Sequence, residues 1–155
     1  FSSFDSIRQA GFSKLISIGN LRETKCCDVP SMPGIYLVLT GEEGHTFLPR
    51  STGGWYRGDP TVATERLKHN WVADAQVLYI GQSLDLKARL RLLLRFSQGE
   101  PVRHWGGRFL WQLSNSDELR VCWLLCNTDP RQDEKHLIAE FIKRYDKRPF
   151  ANLQR

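Results

Sequence analysis

The sequence predicts a small α+β domain, with three strands in a mixed or antiparallel central sheet, helices flanking it, and a long insert between the first two strands. Three observations lead there. "GIYLVLT" (34–40), "VLYI" (77–80) and "ELRVCWLLC" (118–126) have the length and apolar, β-branched or aromatic make-up of strands. "LDLKARLRLLLRF" (84–96) and a stretch of roughly 131–146 repeat apolar residues at helical spacing. Residues 41–76, between the first two strands, are dominated by Gly and turn formers. Three strands with helices packed on them make a small α+β layer.

Taken in order, a short helix is expected around "SFDSIRQAGFSKLI" (3–16), within an N-terminal helical extension spanning 1–32. "DVPSMPG" (28–34) is Pro-rich punctuation before the main domain, 33–155. In the first strand Ile35, Leu37 and Leu39 share one face, and Tyr36, Val38 and Thr40 the other. The insert 41–76 holds one candidate helix, "ATERLKHNWVADA", with Leu67 and Trp71 on one side. In the second strand Tyr79 is expected to share a face with Val77 and Gly81, so that the rings of Tyr36 and Tyr79 stand on one side of the sheet. Ser83 is expected to cap the helix that follows. "GEPVRHWGGRFLWQL" (99–113) has no clear period, and Asp129-Pro130 opens the last helix.

At 155 residues and 41% hydrophobic, the chain is long and apolar enough for one domain with a real core. No apolar run approaches the roughly 20 residues of a membrane helix. "FSSFDSIRQAGF" has neither the basic nor the apolar region of a secretion signal. Twenty-two Lys and Arg against 17 Asp and Glu give +5, a balance that suits a polyanion partner. Cys26, Cys27, Cys122 and Cys126 form no C-x-x-C pair, so free thiols in a reducing cytoplasm are expected rather than a zinc site.

Two charged residues stand on apolar helix stripes. In 84–96, Leu86, Leu90 and Leu93 align, and Arg89 lies about 60° from Leu86, at the edge of that stripe. In the last helix Leu137, Ile138, Phe141 and Tyr145 all fall within about 60° of Glu134, whereas Glu140 is on the solvated side. A carboxylate on an apolar face is costly unless it is paired, protonated or bound to metal. With Tyr36 and Tyr79 these residues make one candidate constellation, a metal-dependent phosphodiesterase site. Against it stands a structural reading in which the tyrosine hydroxyls are bonded in the core, Arg89 snorkels and Glu134 serves the helix dipole. The residues by themselves leave both open.

The literal motifs go further. "GIY" at 34–36 and "YIG" at 79–81, Arg89 ten positions after Tyr79, Glu134 in "DEKHLIAEF" and Asn152 in "PFANL" occur in the order that resembles the GIY-YIG endonuclease superfamily. The resemblance implies a DNA endonuclease or nickase that leaves 5′-phosphate and 3′-hydroxyl ends with one divalent ion, Mg²⁺ or Mn²⁺. It implies Glu134 as the metal ligand, Tyr36 as general base, Tyr79 as a positioning group, Arg89 on the phosphate and Asn152 as the closing residue. Leu93 stands where many members have His or Tyr, so His104 enters as a further catalytic candidate. Glu140 better suits the usual spacing to Asn152, whereas helical phase favours Glu134. Arg50, Trp55 and Arg57 in the insert, and Arg103, Trp105 and Arg108 after the helix, combine charge with aromatic faces and are candidate DNA contacts. His45, His69 and His136 are expected to face solvent. The partner is DNA, with a homodimer or a partner protein as the source of specificity. A catalytically weak or inactive nucleic-acid-binding module of the same fold is the alternative.

Overall fold

The computed structural model describes residues 4–153. Ser3, at the start of the first expected helix, and the outer ends of the two expected domains (1–3 and 154–155) lie outside the described residues. Four strands, not three, form one antiparallel sheet: β1 (Ile16–Ser17), β2 (Gly34–Leu39), β3 (Val77–Ser83) and β4 (Arg120–Leu125), in the order β1-β4-β2-β3. The additional strand is two residues long, too short for any period to mark it in sequence. It exists because β4 offers an edge, on which Ile16 pairs with Val121 and Ser17 with Arg120.

Among the described residues five helices accompany the sheet: α1 (Phe4–Gln9), α2 (Ile18–Thr24), α3 (Thr64–Asn70), α4 (Leu86–Ser97) and α5 (Pro130–Tyr145). Two 3₁₀ segments, Trp105–Gln112 and Ser116–Glu118, precede β4. The single N-terminal helix expected around 3–16 is the shorter α1, and β1 separates it from a second helix, α2, that the sequence reading did not give. Gly11, at φ +98°, follows α1, and Ser17 caps α2 by accepting from the Asn20 amide. Residues 4–32 do not stand apart as an extension. Ile7 and Phe12 are buried with the α5 side of the sheet, and Ile18, Leu21, Cys26 and Val29 with the α4 side.

β2 is buried along its whole length because both sheet faces are covered. Ile35, Leu37 and Leu39 pack with Ile80, Cys122 and Phe141 under α1 and α5. Tyr36 and Val38 pack with Tyr79, Val121, Leu86, Leu90 and Leu93 under α2, α4 and the longer 3₁₀ segment. Tyr36 opposes Gly81 and Val38 opposes Tyr79, so the two tyrosines do share a face. Val77 does not join them. The register slips between Val38 and Leu39, a β-bulge that leaves Leu78 on the tyrosine side and turns Val77 to the other core.

The insert folds onto the segment after α4. Leu48 N–H donates to the Gln112 carbonyl at 2.8 Å and Thr52 N–H to the Trp111 carbonyl at 2.9 Å. The fully buried Gln112 amide donates to the Leu48 and Val62 carbonyls at 3.0 and 2.7 Å, while its oxygen accepts from Val62 N–H at 3.0 Å. Leu67 of α3 is fully buried, and half-buried Trp71 makes edge contacts with Phe47 and Phe150. His45 is built in rather than solvated. It accepts from Gly41 N–H at 2.9 Å through Nε2 and donates through Nδ1 to the Ser114 carbonyl at 2.6 Å. His69 and His136 are exposed. All four cysteines are free thiols, and burial pushes Cys122 up to about 12. Among the described residues no helix is long and apolar enough to cross a membrane.

Candidate functional site

The β2–β3 pair brings the two tyrosines together. Their ring centroids are 6.0 Å apart, and Gly81 makes that possible. A Cβ at Gly81 would lie 2.3–2.6 Å from the Cζ, hydroxyl oxygen and Cε1 of Tyr36. The space left by the missing side chain is therefore filled by a ring of the protein itself, not held open for a phosphate. Tyr36 has no exposed surface, and Tyr79 only 8%.

His104, just before the 3₁₀ segment, reaches the same cluster. It is fully buried, and its Nε2 lies 2.9 Å from the Tyr36 hydroxyl. Burial, reinforced by the Arg89 charge, lowers its pKa to about 3, so the imidazole is neutral. Among the described residues its Nδ1, buried, has no hydrogen-bond partner. A bare acceptor there is less costly than a bare N–H donor, which favours the tautomer in which Nε2–H donates to Tyr36. His104 therefore acts on Tyr36 from behind and meets no solvent.

Arg89 completes the cluster. The β3–α4 turn that delivers it is built by two residues. Ser83 Oγ accepts from Asp85 N–H at 3.0 Å, and Asp85, not Ser83, is the N-cap, its carboxylate accepting from Ala88 N–H at 3.1 Å. Asp85 takes the cap because the strand runs on to Ser83, so the helix starts later than the sequence pattern suggested. Arg89 is half-buried and donates from Nη1 to the Arg103 carbonyl at 2.6 Å. Burial works against its charge, but the Tyr36 and Tyr79 oxygens more than offset this, and its pKa is raised. Burial also raises both tyrosines, Tyr36 well above its ordinary value. Arg89 draws each of them part of the way back.

Glu134 comes from α5, in the phase its neighbours implied: Phe141 is buried, and Leu137, Ile138 and Tyr145 pack beside it. Glu134 is half-buried, whereas Glu140 is exposed. Its charge is among the influences that raise the Tyr79 hydroxyl. Asn152 is held elsewhere. Its side chain pairs with the backbone of Ile80, accepting from N–H at 2.8 Å and donating to the carbonyl at 2.9 Å. It continues the edge of β3 as a strand would, and its amide is occupied in doing so.

A cleft of about 1500 Å³ opens over this cluster. Tyr79, Arg89 and Asn152 line it, while Tyr36, His104 and Glu134 do not. Of the expected DNA contacts, Arg57, Arg103, Trp105 and Arg108 line it; Arg50 and Trp55 do not. Arg108 lies over the Trp105 ring, 4.6 Å from its centre. Tyr56 of the same insert stretch lines it too, and sequence reasoning missed Arg66, Arg131, Lys147 and Arg148 on the same wall. Arg66, Lys147 and Arg148 come from α3 and the segment after α5, distant in sequence, and no local pattern points to them. The lining thus gathers eight Arg and Lys side chains against one carboxylate, Asp129, which pairs with Arg131 at 3.2 Å. Gly53 and Gly54 of "RSTGGWYRG" serve packing: a Cβ on Gly54 would meet the Glu100 carbonyl oxygen at 1.9 Å, and one on Gly53 the Phe96 ring at 2.6 Å.

No family model, no curated protein and no solved structure is matched by this chain.

Proposed function

We propose that the chain is a divalent-metal-dependent DNA endonuclease or nickase of the GIY-YIG type, hydrolysing phosphodiesters to 5′-phosphate and 3′-hydroxyl ends. The observation that carries this reading is Arg89: a half-buried guanidinium beside two tyrosine hydroxyls, at the floor of a cationic cleft. Such a group neutralises charge on a phosphoryl oxygen without reorganising at the moment of reaction. In this scheme Tyr79, which lines the cleft, orients water or a phosphate oxygen. Tyr36, assigned the general base by resemblance, stands behind it and is oriented by His104.

The metal demands little of this chain. Among the described residues no group of three His, Cys, Asp or Glu is placed to hold an ion. Mg²⁺ is commonly held by one or two carboxylates, with substrate phosphate oxygens and waters completing the shell. Glu134, half-buried and felt at Tyr79 though outside the cleft lining, is the carboxylate proposed for that part, and a bound Mg²⁺ or Mn²⁺ would supply charge neutralisation and an acidified water. The free thiols suit a reducing cytoplasm.

The test is supercoiled plasmid incubated with Mg²⁺ or Mn²⁺. The wild type is expected to nick it, and Glu134→Gln and Arg89→Ala to lose about 10² to 10³ in rate. Cleavage that survives Glu134→Gln removes that carboxylate from the site; no cleavage of any DNA form refutes the enzyme. The fully buried, protonated Tyr36 favours a second reading, a nucleic-acid-binding module with weak or no catalysis. Salt-dependent binding without any metal-dependent product would support it.

A further inference from the structure

The rim of the cleft carries a feature that the proposed hydrolysis leaves unused. Trp55 is 63% exposed and Tyr56 39%, side by side and followed by the exposed Arg57. Rings of this size usually bury most of their surface. The tip that holds them is not slack. Gly53 and Gly54 press against Phe96 and Glu100 too closely to admit a side chain. Ser51 N–H donates to Thr61 Oγ1 and Thr61 N–H to Asp59 Oδ1, both at 2.9 Å, which closes the stem. Tyr56 and Arg57 line the cleft that Tyr79 and Arg89 also line.

We propose that this tip stacks on an unpaired nucleobase, so that the preferred DNA is one in which a duplex meets a single-stranded segment, such as a flap, gap or splayed end. The inference rests on the cleft being the DNA surface of the proposed nuclease and names its substrate class. A cationic wall contacts phosphates whatever the pairing. An aromatic face gains only where a base offers a free face. In an intact duplex both faces of each base are covered, and freeing one costs a few kcal/mol. A stiff pair of exposed rings beside the cationic wall therefore discriminates by pairing rather than by sequence.

The experiment is equilibrium binding by fluorescence anisotropy in EDTA, which removes hydrolysis. The probes are a blunt duplex and the same duplex bearing a single-stranded arm. For the armed duplex the variant carrying Trp55→Ala and Tyr56→Ala is expected to lose about tenfold or more in affinity, and for the blunt one less than about twofold. Trp55→Phe with Tyr56→Phe should retain the preference, since the rings remain. Met32→Ala, removing a side chain 50% exposed outside the cleft lining, should change neither. Equal losses on both probes, or no loss, overturn the proposal. Cleavage assayed separately on the same DNAs separates it from the enzyme reading. A binding preference without cleavage refutes the nuclease alone, cleavage without a preference refutes this inference alone, and no DNA binding at low salt refutes both.

Discussion

The tyrosine cluster and the cationic wall border the same cleft and are built on opposite terms. Tyr36 and His104 are dry, Tyr79 meets the cleft with 8% of its surface, and strand register sets the two tyrosines, with Gly81 yielding its side-chain space to the Tyr36 ring. Arg57, Arg103 and Arg148 are exposed, gathered from three distant segments, and none has a carboxylate partner among the ion pairs within the described residues. The first region belongs to folding as much as to function. The second costs the fold little and gains its energy only when an anion arrives. Substitutions should divide accordingly: in the cluster they act on stability, on the wall they act on binding.

The largest expected effect is on acid stability. The folded pKa of His104 is about 3 against an ordinary 6.5. Between those values the unfolded chain takes up a proton that the folded one refuses. The contribution is therefore fully present above about 6.5, lost as pH falls, and flat again below about 3. Urea unfolding across pH should show the wild type losing about 1.4 kcal/mol per pH unit more than His104→Gln in that window. Parallel curves would mean the imidazole is not dry. Next comes Gly81→Ala, which drives a methyl into the Tyr36 ring and should cost about 3 kcal/mol, read by urea unfolding. A loss under about 1 kcal/mol would show that the ring yields, and would break the contrast. Asn152→Ala removes two hydrogen bonds to Ile80 and should cost about 2 kcal/mol, with faster hydrogen exchange at the Ile80 amide. The smallest effect on the fold belongs to the wall. Arg103→Ala and Arg148→Ala should each leave stability within about 0.5 kcal/mol. Each should also lower the slope of log affinity against log salt by about 0.9, the share of one neutralised phosphate, measured by DNA titration.

The same division governs what the sequence disclosed. β2, β3, α4 and α5, and the phases that place Arg89 and Glu134, follow from local periodicity, which one stretch of chain contains by itself. The insert and the segment 105–113 were opaque because each is the other's partner. Gln112 looks unremarkable until Leu48 and Val62 are known to meet it. β1 depends on β4 for its existence, and the bulge at Leu78 arises between strands, so neither leaves a local mark. The site was legible as a set of residues and not as an arrangement. Nothing in "GIY" or "VRHW" says that Tyr36 faces inward, that His104 lies behind it, or that Tyr79 alone of the three meets the cleft.

One consequence follows from the way Asn152 lies along β3. That strand ends the sheet, and an open edge is a template on which another molecule can add a strand. Ala151 N–H donates to the Leu78 carbonyl at 2.8 Å, and the Asn152 side chain satisfies both backbone groups of Ile80. Three of the polar groups that an intruding strand would seek are thus already engaged. The residue that resemblance assigns to closing the catalytic module also guards the protein against sticking to itself, and its loss would appear first as association at high concentration.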